Sequence, residues 1–199
     1  MLSKVTYADV LRPCEKTQGR IYDIALVIGG SFLIAACAQV AVWPAFSPVP
    51  ITGQTFAVLM TGALLGGKRG SLAVLAYITE GISGLPVFAS ARAGLGVILG
   101  PTGGYLIGFV AAAYVIGRLC EKGWDRNFGK TIMAMVLGNI CIYAGGLFWL
   151  GCLTGFGSSL LLIGLYPFLP GEVAKVALAA AILPSGWKLL KMSGFSSKI

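Results

Sequence analysis

The chain has 199 residues, of which 57% are hydrophobic and only 11% are charged. Soluble domains contain about 45–50% apolar and about 25% charged residues, so this composition excludes an ordinary soluble protein and indicates an integral membrane protein. The formal net charge is +8, but the basic residues form short clusters between apolar runs, which favours membrane topology over a nucleic-acid-binding surface.

Apolar runs along the chain predict an all-α membrane protein, a bundle of six transmembrane helices. A helix needs about 20 predominantly apolar residues to span a bilayer. In chain order the runs cover about residues 21–42, 55–65, 71–88, 102–119, 131–153 and 171–190. We therefore predict one transmembrane domain over residues 1–199, with a cytoplasmic N-terminal segment at 1–20, the membrane bundle at about 21–190 and a cytoplasmic tail at 191–199.

The basic residues alternate between the two sides of this predicted bundle. Thirteen of the 15 are Lys4, Arg12, Lys16, Arg20, Lys68, Arg69, Arg118, Lys122, Arg126, Lys130, Lys188, Lys191 and Lys198, which lie in the N-terminal segment, in two alternate connections and in the tail. The connections on the other side contain only Arg92. Because positively charged loops stay in the cytoplasm, we predict a multi-pass protein of the cell (inner) membrane with both termini cytoplasmic.

The connections on the outer side are unusually apolar and rich in proline and glycine. They contain the strings WPAFSPVPITGQT, VFASARAGLGVILGPTGG and YPFLPG. Irregular backbone is tolerated at membrane depth only where protein covers it or where it lines a cavity. We therefore predict ordered outer loops that roof a ligand pocket, with Val49 and Pro50 as lid residues. The alternative is that the loops lie in the interfacial layer of the bilayer.

Two opposite charges, Glu172 and Lys175, open the last predicted span. A charged residue at the bilayer centre costs about 2.5–3.5 kcal/mol, and the i,i+3 spacing places both side chains on one helix face. One interpretation is an intrahelical pair at the membrane surface, with the lysine extended toward water. The other is the polar end of a ligand pocket, in which the lysine binds a carboxylate and the glutamate accepts hydrogen bonds from ligand N–H groups.

Other candidate residues carry weaker signals. Arg92 is a candidate for binding an anion, and Asn139, inside the fifth span, is a candidate for the pocket or for a hydrogen bond between helices. Glu80 either faces the pocket or pairs with Arg92. Ala25 and Gly29 form a small-residue face on the first span, which suits either the bundle interior or a partner helix. No metal-ligand cluster is predicted.

Four strings in the chain resemble the BioY family. They are PVPITGQTFAVLMTGALLGGKRG, GLPVF, GPTGGYLIGF and PGEVAK, and the resemblance covers about residues 20–190. BioY proteins are the biotin-specific substrate-binding S components of energy-coupling factor (ECF) transporters. The resemblance implies a six-helix bundle that binds biotin with high affinity at the extracytoplasmic side and transfers it across the membrane, without a cofactor. It also implies a transmembrane coupling subunit and two cytoplasmic ATPases as partners, although some members of the family transport alone.

The resemblance assigns roles to specific residues. The family motif PGDxxK places its acidic residue and its lysine in contact with biotin, and the matching positions are Glu172 and Lys175. Glutamate in place of aspartate is a departure, because the side chain is one methylene longer. Arg92 is another departure, since a small residue is expected there, and it is a candidate for sharing the biotin carboxylate with Lys175. Which end of biotin meets which residue stays open at this point.

Two alternatives to a biotin transporter subunit are a membrane-embedded enzyme and a solitary transporter of a related small carboxylate. The sequence contains no histidine, which excludes Ser-His-Asp triads and HExxH zinc sites. Ser185 and Lys188 spell an SxxK motif, but at the predicted cytoplasmic end. A channel would show a polar stripe, whereas the spans contain scattered polar residues. We therefore predict a transport protein and not an enzyme.

Overall fold

The computed structural model describes residues 5–192, and most of these residues are helical. The predicted tail from residue 193 onward and the first four residues of the predicted N-terminal segment lie outside the described residues. The helices and strands are, in chain order, α1 (Tyr7–Val10), α2 (Lys16–Gln39), β1 (Ala41–Val42), β2 (Ile51–Thr52), α3 (Gln54–Leu65), α4 (Gly67–Ile82), α5 (Leu95–Leu99), α6 (Gly103–Cys120), α7 (Phe128–Thr154), α8 (Ser159–Gly164) and α9 (Leu169–Met192). Short 3-10 turns lie at Ala89–Ala91 and Trp124–Arg126.

The longer helices, α2, α3, α4, α6, α7 and α9, overlap the six predicted spans. Of the helices in residues 5–192, α2, α6, α7 and α9 are long and apolar enough to cross a membrane. The other two have 12 and 16 residues, and a helix of 12 residues is only about 18 Å long. The structure therefore supports several apolar helices, four of which have the length of a full span.

The shortest of these helices, α3, lies at the centre of the fold. It packs against α2, α4 and α6, and its side chains Val58 and Ala63 are completely buried. A helix that is covered on most sides is apolar all round, which explains why the run at 55–65 shows no amphipathic pattern. The helix ends at Gly66, whose φ of 86° lies in the left-handed region that favours glycine.

Glycines let α6 and α7 pack at very short range. A Cβ atom placed on Gly108 would lie 2.9 Å from the Cα atom of Ile142, and one placed on Gly104 would lie 2.2 Å from the Cβ atom of Trp149. On the facing helix, a Cβ atom on Gly145 would lie 2.8 Å from the carbonyl oxygen of Gly104. Small residues of this kind allow close backbone contact between membrane helices, so the Gly104–Gly108 pair is part of the bundle interior.

The outer surface of the bundle is apolar. Only 22% of the most apolar window of α2 is buried. Its exposed side chains include Ile21, Ile24, Ile28, Phe32 and Leu33. An extended apolar surface of this kind is unfavourable in water and marks a membrane-contacting face, so the fold is that of an integral membrane protein.

A small β-hairpin follows α2. Strands β1 and β2 are antiparallel and pair Ala41 with Thr52 and Val42 with Ile51. The all-α prediction does not include this hairpin, because strands of two residues leave no periodic pattern in a sequence. The hairpin encloses residues 43–50, hereafter the hairpin loop, and returns the chain to the start of α3.

The hairpin loop contacts the other connections at the same end of the bundle. The indole Nε1 of Trp43 donates a hydrogen bond of 2.9 Å to Oγ of Ser90, and the guanidinium carbon of Arg92 lies 5.4 Å from the centre of the Trp43 ring. The hydroxyl of Ser47 donates a 2.7 Å hydrogen bond to the carbonyl of Ile163 at the end of α8. These contacts hold three sequence-distant connections against one another.

At the opposite end, the N-terminal segment packs against the last helix. The Tyr7 and Trp187 rings have centroids 4.4 Å apart, and the Tyr7 hydroxyl donates to the carbonyl of Leu183. The indole of Trp187 donates a 2.6 Å hydrogen bond to Oδ2 of Asp125, and the guanidinium of Arg126 lies 4.4 Å from the Trp187 ring centre. The first described helix and the C-terminal end of the last one therefore lie at the same end of the bundle, joined through this Trp187 cluster.

Asp125 makes the Trp187 cluster sensitive to pH. Its side chain is completely buried, and burial raises the pKa of its carboxyl from the ordinary 3.8 to about 6, although the hydrogen bond from Trp187 opposes the rise. A raised pKa means that the folded state holds its proton more tightly, so this stabilising contribution is present below about pH 4 and lost as the pH rises through about 6. We therefore expect Asp125→Asn to raise the stability at pH 7.5 by up to about 3 kcal/mol. Thermal unfolding in detergent at pH 5.0 and 7.5 measures this gain, which is expected to be smaller at pH 5.0.

Asp9 provides a control of opposite sign. Burial raises the pKa of its carboxyl, but the hydrogen bonds from Thr6 and Arg69 together lower that pKa by more. The net result is a pKa below the ordinary value. Because this carboxylate stabilises the fold when ionised, Asp9→Asn is expected to lower the stability at pH 7.5. Equal destabilisation by both substitutions would contradict the assignment of Asp125 as a buried, unfavourably ionised group.

Candidate functional site

The start of α9 places Glu172 and Lys175 inside the protein. Proline is favoured in the first turn of a helix, where Pro170 stands, and the helix dipole favours an anion such as Glu172 there. Glu172 is only 5% exposed, and its Oε1 atom lies 2.8 Å from Nζ of Lys175. Glu172 is therefore enclosed by protein. Lys175, whose side chain is 18% exposed, points toward Glu172 and does not extend toward the membrane surface.

Two threonines complete the surroundings of this pair. Nζ of Lys175 donates to the carbonyl of Thr52 at 2.8 Å and to Oγ1 of Thr55 at 2.7 Å. The Thr55 hydroxyl in turn donates to Oε1 of Glu172 at 2.7 Å. A lysine ammonium has three protons, so all three have acceptors when the contact with Glu172 is included.

The second carboxylate oxygen of Glu172 is different. Oε2 is buried and has no hydrogen-bond partner among the described residues, although the Tyr143 phenol lies close enough to interact with the carboxylate. A buried charged oxygen without a donor is unfavourable by about 1–3 kcal/mol or more. The pair therefore has one acceptor atom, Oε2, that no described residue meets with hydrogen-bonding geometry.

A second hydrogen-bonded chain supports the hairpin beside this pair. The Thr52 hydroxyl lies 3.1 Å from Oε1 of Gln54, and Nε2 of Gln54 donates to the Tyr77 hydroxyl at 2.6 Å. Tyr77 is completely buried in α4. The position of Thr52, and with it one acceptor of Lys175, is therefore fixed from the core side by α4.

The charged pair faces a small cavity of about 40 Å³. It is lined by Val49, Pro50, Thr52, Gln54, Thr55, Thr102, Tyr105, Leu106, Phe109, Tyr143, Phe168, Glu172 and Lys175. A few polar groups at one side of an apolar and aromatic wall are typical of a small-molecule site. Such sites usually have about 300–1,000 Å³, so this cavity must enlarge to admit a ligand.

A neighbouring cavity of about 20 Å³ lies beneath the same loop. It contains Trp43 and Arg92, and it shares Pro50 and Gln54 with the first cavity. Thr102 and Leu106 also line both. The two cavities are thus neighbours that share four lining residues.

The predicted site residues fall in different places. Val49 and Pro50 line the first cavity, and their role as a lid stays a prediction. Arg92 lies in the neighbouring cavity and contacts Trp43. Asn139 lies outside both, in an apolar groove between α7 and α9, and its contact with a substrate stays a prediction.

The structure also places three other candidate residues, Glu80, Ala25 and Gly29. Ser31 on α2 donates a 2.8 Å hydrogen bond to Oε1 of Glu80, so Glu80 faces α2 and does not pair with Arg92. Ala25 and Gly29 line a shallow depression of about 150 Å³ on the apolar surface of α2. A Cβ atom on Gly29 would meet nothing within 4 Å, so this face of the helix is open.

Several residues of the site escape sequence reasoning. Thr55 and Gln54 stand within the string PVPITGQTFAVL that carries the resemblance, and this was the one signal that could have singled them out. Tyr143 and Phe168 are aromatic residues in apolar runs, where core packing is the common role. Tyr77 gives no signal, because its partner Gln54 is 23 positions away.

Comparison with known proteins confirms the resemblance. The sequence model of the BioY family matches residues 11–192. A biotin transporter BioY of Thermotoga maritima is 42% identical over 135 residues, which are 68% of this chain and 79% of that protein. A biotin transporter BioY of Rhizobium etli is 36% identical over 144 residues, 69% of this chain and 77% of that protein.

A solved structure gives the same result for the fold. The S-component for biotin from an ECF-type ABC transporter superposes with a TM-score of 0.76 at 27% sequence identity, covering 88% of this chain and 95% of that chain. The predicted helical membrane fold is thereby confirmed in its coarser form, a mostly helical chain with several apolar helices arranged as in that S-component. By sequence and by structure, the chain belongs to the BioY family.

Proposed function

We propose that the protein takes up biotin as the substrate-specific subunit of an ECF-type transporter. The observation that carries this proposal is the buried Glu172–Lys175 pair, which faces an aromatic cavity and leaves one carboxylate oxygen without a donor. Biotin matches such a site, because it combines an apolar bicycle and chain with a ureido group that has two N–H donors. The names of the relatives point to the same ligand.

The pair acts as the polar end of the binding site. Glu172 accepts a hydrogen bond from the ureido group or orients Lys175, and the biotin carboxylate pairs with Lys175 or with Arg92. Thr55 holds both charged side chains of the pair from the neighbouring helix α3. In this role the pair only binds the ligand, and no residue carries out a step of covalent chemistry. The protein is therefore a transporter subunit and not an enzyme.

The outer loops form the roof of this site in the proposed function. The hairpin loop contacts Ser90 and Ile163 in the two other connections, and its residues Val49 and Pro50 line the cavity. Because the cavity of about 40 Å³ is too small for a drug-sized ligand, biotin enters when this loop moves away. Val49 and Pro50 are thus the lid of a site that is closed in this structure.

The topology proposed for the chain is a single domain of six spans with both termini cytoplasmic in the inner membrane. Tyr7 and Trp187 meet at one end of the bundle, which supports an even number of crossings. The short helix α3 is surrounded by other helices and need not match the bilayer thickness by itself. Basic connections at the Tyr7 end support its cytoplasmic location.

Partners supply the energy in the proposed function. The sequence has no Walker A motif, since the similar string GALLGGKR has arginine in place of the Ser or Thr. We infer a transmembrane coupling subunit and two cytoplasmic ATPases. The open face at Ala25 and Gly29 is suited to a partner helix, because small residues permit close packing in membranes. The alternative is that the chain transports the same ligand without partner subunits, and the purified chain alone would then transport it.

A calorimetric titration tests the proposed function. Purified protein in detergent is titrated with biotin, and with a vitamin of different shape as the control. Saturable one-to-one binding of biotin is expected. Failure of well-folded protein to bind biotin would reject the assignment of this ligand to the chain.

A further inference from the structure

A groove of about 800 Å³ between α2 and α4 lies on the outside of the bundle, away from the biotin site. It begins near the end where Tyr7 meets Trp187, because Asp9 and Arg69 line it and form an ion pair there. Its charged lining residues are joined to this end by ion pairs and hydrogen bonds, and the rest of its lining is almost entirely apolar. The groove therefore has a polar mouth and a hydrophobic body.

The hydrophobic body has the length of one membrane leaflet. Lys68 and Thr79 both line the groove on α4, and their separation of eleven residues corresponds to about 16 Å of helix. The hydrocarbon core of a bilayer is about 30 Å thick, so one leaflet accounts for about half of that. Ile28 of α2 and Leu75 of α4 line this part, and each is 45% exposed. An acyl chain that enters at the charged mouth fits along these walls.

The acidic residues at the mouth have no free acceptor. Each carboxylate oxygen of Asp9, Asp23 and Glu121 already accepts a hydrogen bond or an ion pair from a described neighbour. Arg69 supplies the contacts to both aspartates at 2.8 Å, and Arg118 supplies one contact to Glu121 at 2.7 Å. These carboxylates are therefore neutralised within the protein and do not call for a cationic ligand.

The basic residues at the mouth, in contrast, have donors to spare. Lys68 is exposed, and within residues 5–192 no hydrogen bond or ion pair to its ammonium is found, so its three protons are available. Arg118 uses one nitrogen for Glu121, and its side chain is 49% exposed. The two side chains are neighbours, since a Cβ atom on Gly67 would lie 2.9 Å from Cγ and Cδ of Arg118. Spare charged donors without spare acceptors favour an anion with several oxygens, such as a phosphate.

We infer that this groove binds an anionic phospholipid, with its phosphate at Lys68 and Arg118 and an acyl chain between Ile28 and Leu75. The placement in the inner leaflet rests on the proposed topology, whereas the site does not depend on biotin as the transported ligand. A helix of a partner protein fits this groove less well. Helices that pack closely in membranes meet at small residues, but these walls carry isoleucine and leucine, and an apolar helix brings no anion for Lys68.

Native mass spectrometry of the protein in detergent tests the charged mouth. The protein is titrated with phosphatidylglycerol and with phosphatidylcholine that has the same acyl chains. Wild type is expected to bind phosphatidylglycerol about fivefold more tightly, the factor for one basic residue near an anionic headgroup. Lys68→Gln is expected to remove this preference. Lys130→Gln removes the same charge from an exposed lysine at the start of α7, outside the groove, and is expected to change the affinity less than about twofold.

A second pair of variants tests the hydrophobic body. Ala76→Phe fills the groove halfway along α4 and is expected to weaken both lipids about fivefold or more, because it takes the place of the acyl chain. Ala111→Phe makes the same change at an exposed position of α6 that does not line the groove, and it is expected to leave lipid binding unchanged. Leu72→Phe, at another lining position, serves if Ala76→Phe does not fold.

The outcomes distinguish this inference from other occupants and from the proposed function. Equal binding of the two lipids, or equal effects of Lys68→Gln and Lys130→Gln, would mean that only the overall positive charge attracts lipid, and the inference fails. It also fails if excess inorganic phosphate displaces the lipid, or if Ala76→Phe binds lipid as the wild type does, which leaves the groove to a partner helix. Biotin titration of the same samples is expected to give wild-type affinity in every variant. A wild type that binds phosphatidylglycerol in this pattern and no biotin would reject the proposed function and leave the lipid site standing.

Discussion

Replacing Lys175 with methionine is expected to weaken biotin binding by about 2–4 kcal/mol, which is the cost of removing one partner of a buried, hydrogen-bonded ion pair. Methionine has a similar length and no charge. It leaves Oε1 of Glu172 with the Thr55 hydroxyl as its remaining donor and removes the ammonium group from the polar end of the proposed site. Calorimetric titration with biotin measures the effect as a decrease of about 30-fold to 1,000-fold in affinity.

Two comparisons separate binding from folding in this experiment. Lys188→Met changes the same residue type on the same helix, but Lys188 is exposed at the other end of α9, so biotin binding should be unchanged. The double variant Glu172→Gln with Lys175→Met removes both charges together. It should recover stability lost by leaving Glu172 unpaired and should still bind biotin poorly. An unchanged affinity in a folded Lys175→Met protein would remove this lysine from the site.

Glu172 and Lys175 could be predicted from the sequence because charges inside an apolar run are costly and therefore informative. Thr55 could not be predicted in the same way, since a threonine in a membrane helix satisfies its hydroxyl on the backbone of its own helix as easily as on a ligand site. Its actual partner, Glu172, is 117 positions away. The local i,i+3 spacing is enough to predict the ion pair. The residues that orient the pair are brought next to it only by tertiary packing.

The fold shows the same division between local and distant information. The six apolar runs predict the positions of α2, α3, α4, α6, α7 and α9, because hydrophobic length is a local property of the chain. The packing of Tyr7 against Trp187 could not be predicted, since 180 residues separate the two rings and the N-terminal segment reads as a mixed-charge stretch. Asn139 is a similar case, because the sequence places it within α7 but does not say which face of the helix meets the cavity.

Arg92 illustrates how a departure from a family pattern gains meaning from structure. The sequence marks it as a charge where a small residue is expected. From the sequence by itself, Arg92 could equally lie at the membrane interface without a binding role. The contact with Trp43 and the cavity beside Gln54 place it under the hairpin loop. Strand β2, which follows this loop, accepts a hydrogen bond from Lys175 at the Thr52 carbonyl, so the hairpin contacts both Arg92 and Lys175.

Substituting leucine for Gly108 is expected to prevent α6 and α7 from packing and to destabilise the protein by 3 kcal/mol or more, on the order of the largest overpacking costs. Even a single Cβ atom at this position would lie 2.9 Å from backbone atoms of Cys141 and Ile142. Backbone of a packed helix cannot move aside as a flexible side chain can, so the two helices would have to separate. Thermal unfolding and gel filtration in detergent measure the effect as a lower transition temperature and as aggregation.

Gly29→Leu is the matched control, because it makes the same substitution in a helix where a Cβ atom meets nothing within 4 Å. Both variants gain the same helix propensity of leucine over glycine, about 1 kcal/mol, so their difference isolates the clash at the α6–α7 contact. Gly29→Leu should fold and bind biotin normally, and should interfere only with a partner helix docked on that face. Comparable stability of the two variants would mean that α6 and α7 do not depend on the close contact at Gly108, and that the bundle interior tolerates a wider spacing than these distances imply.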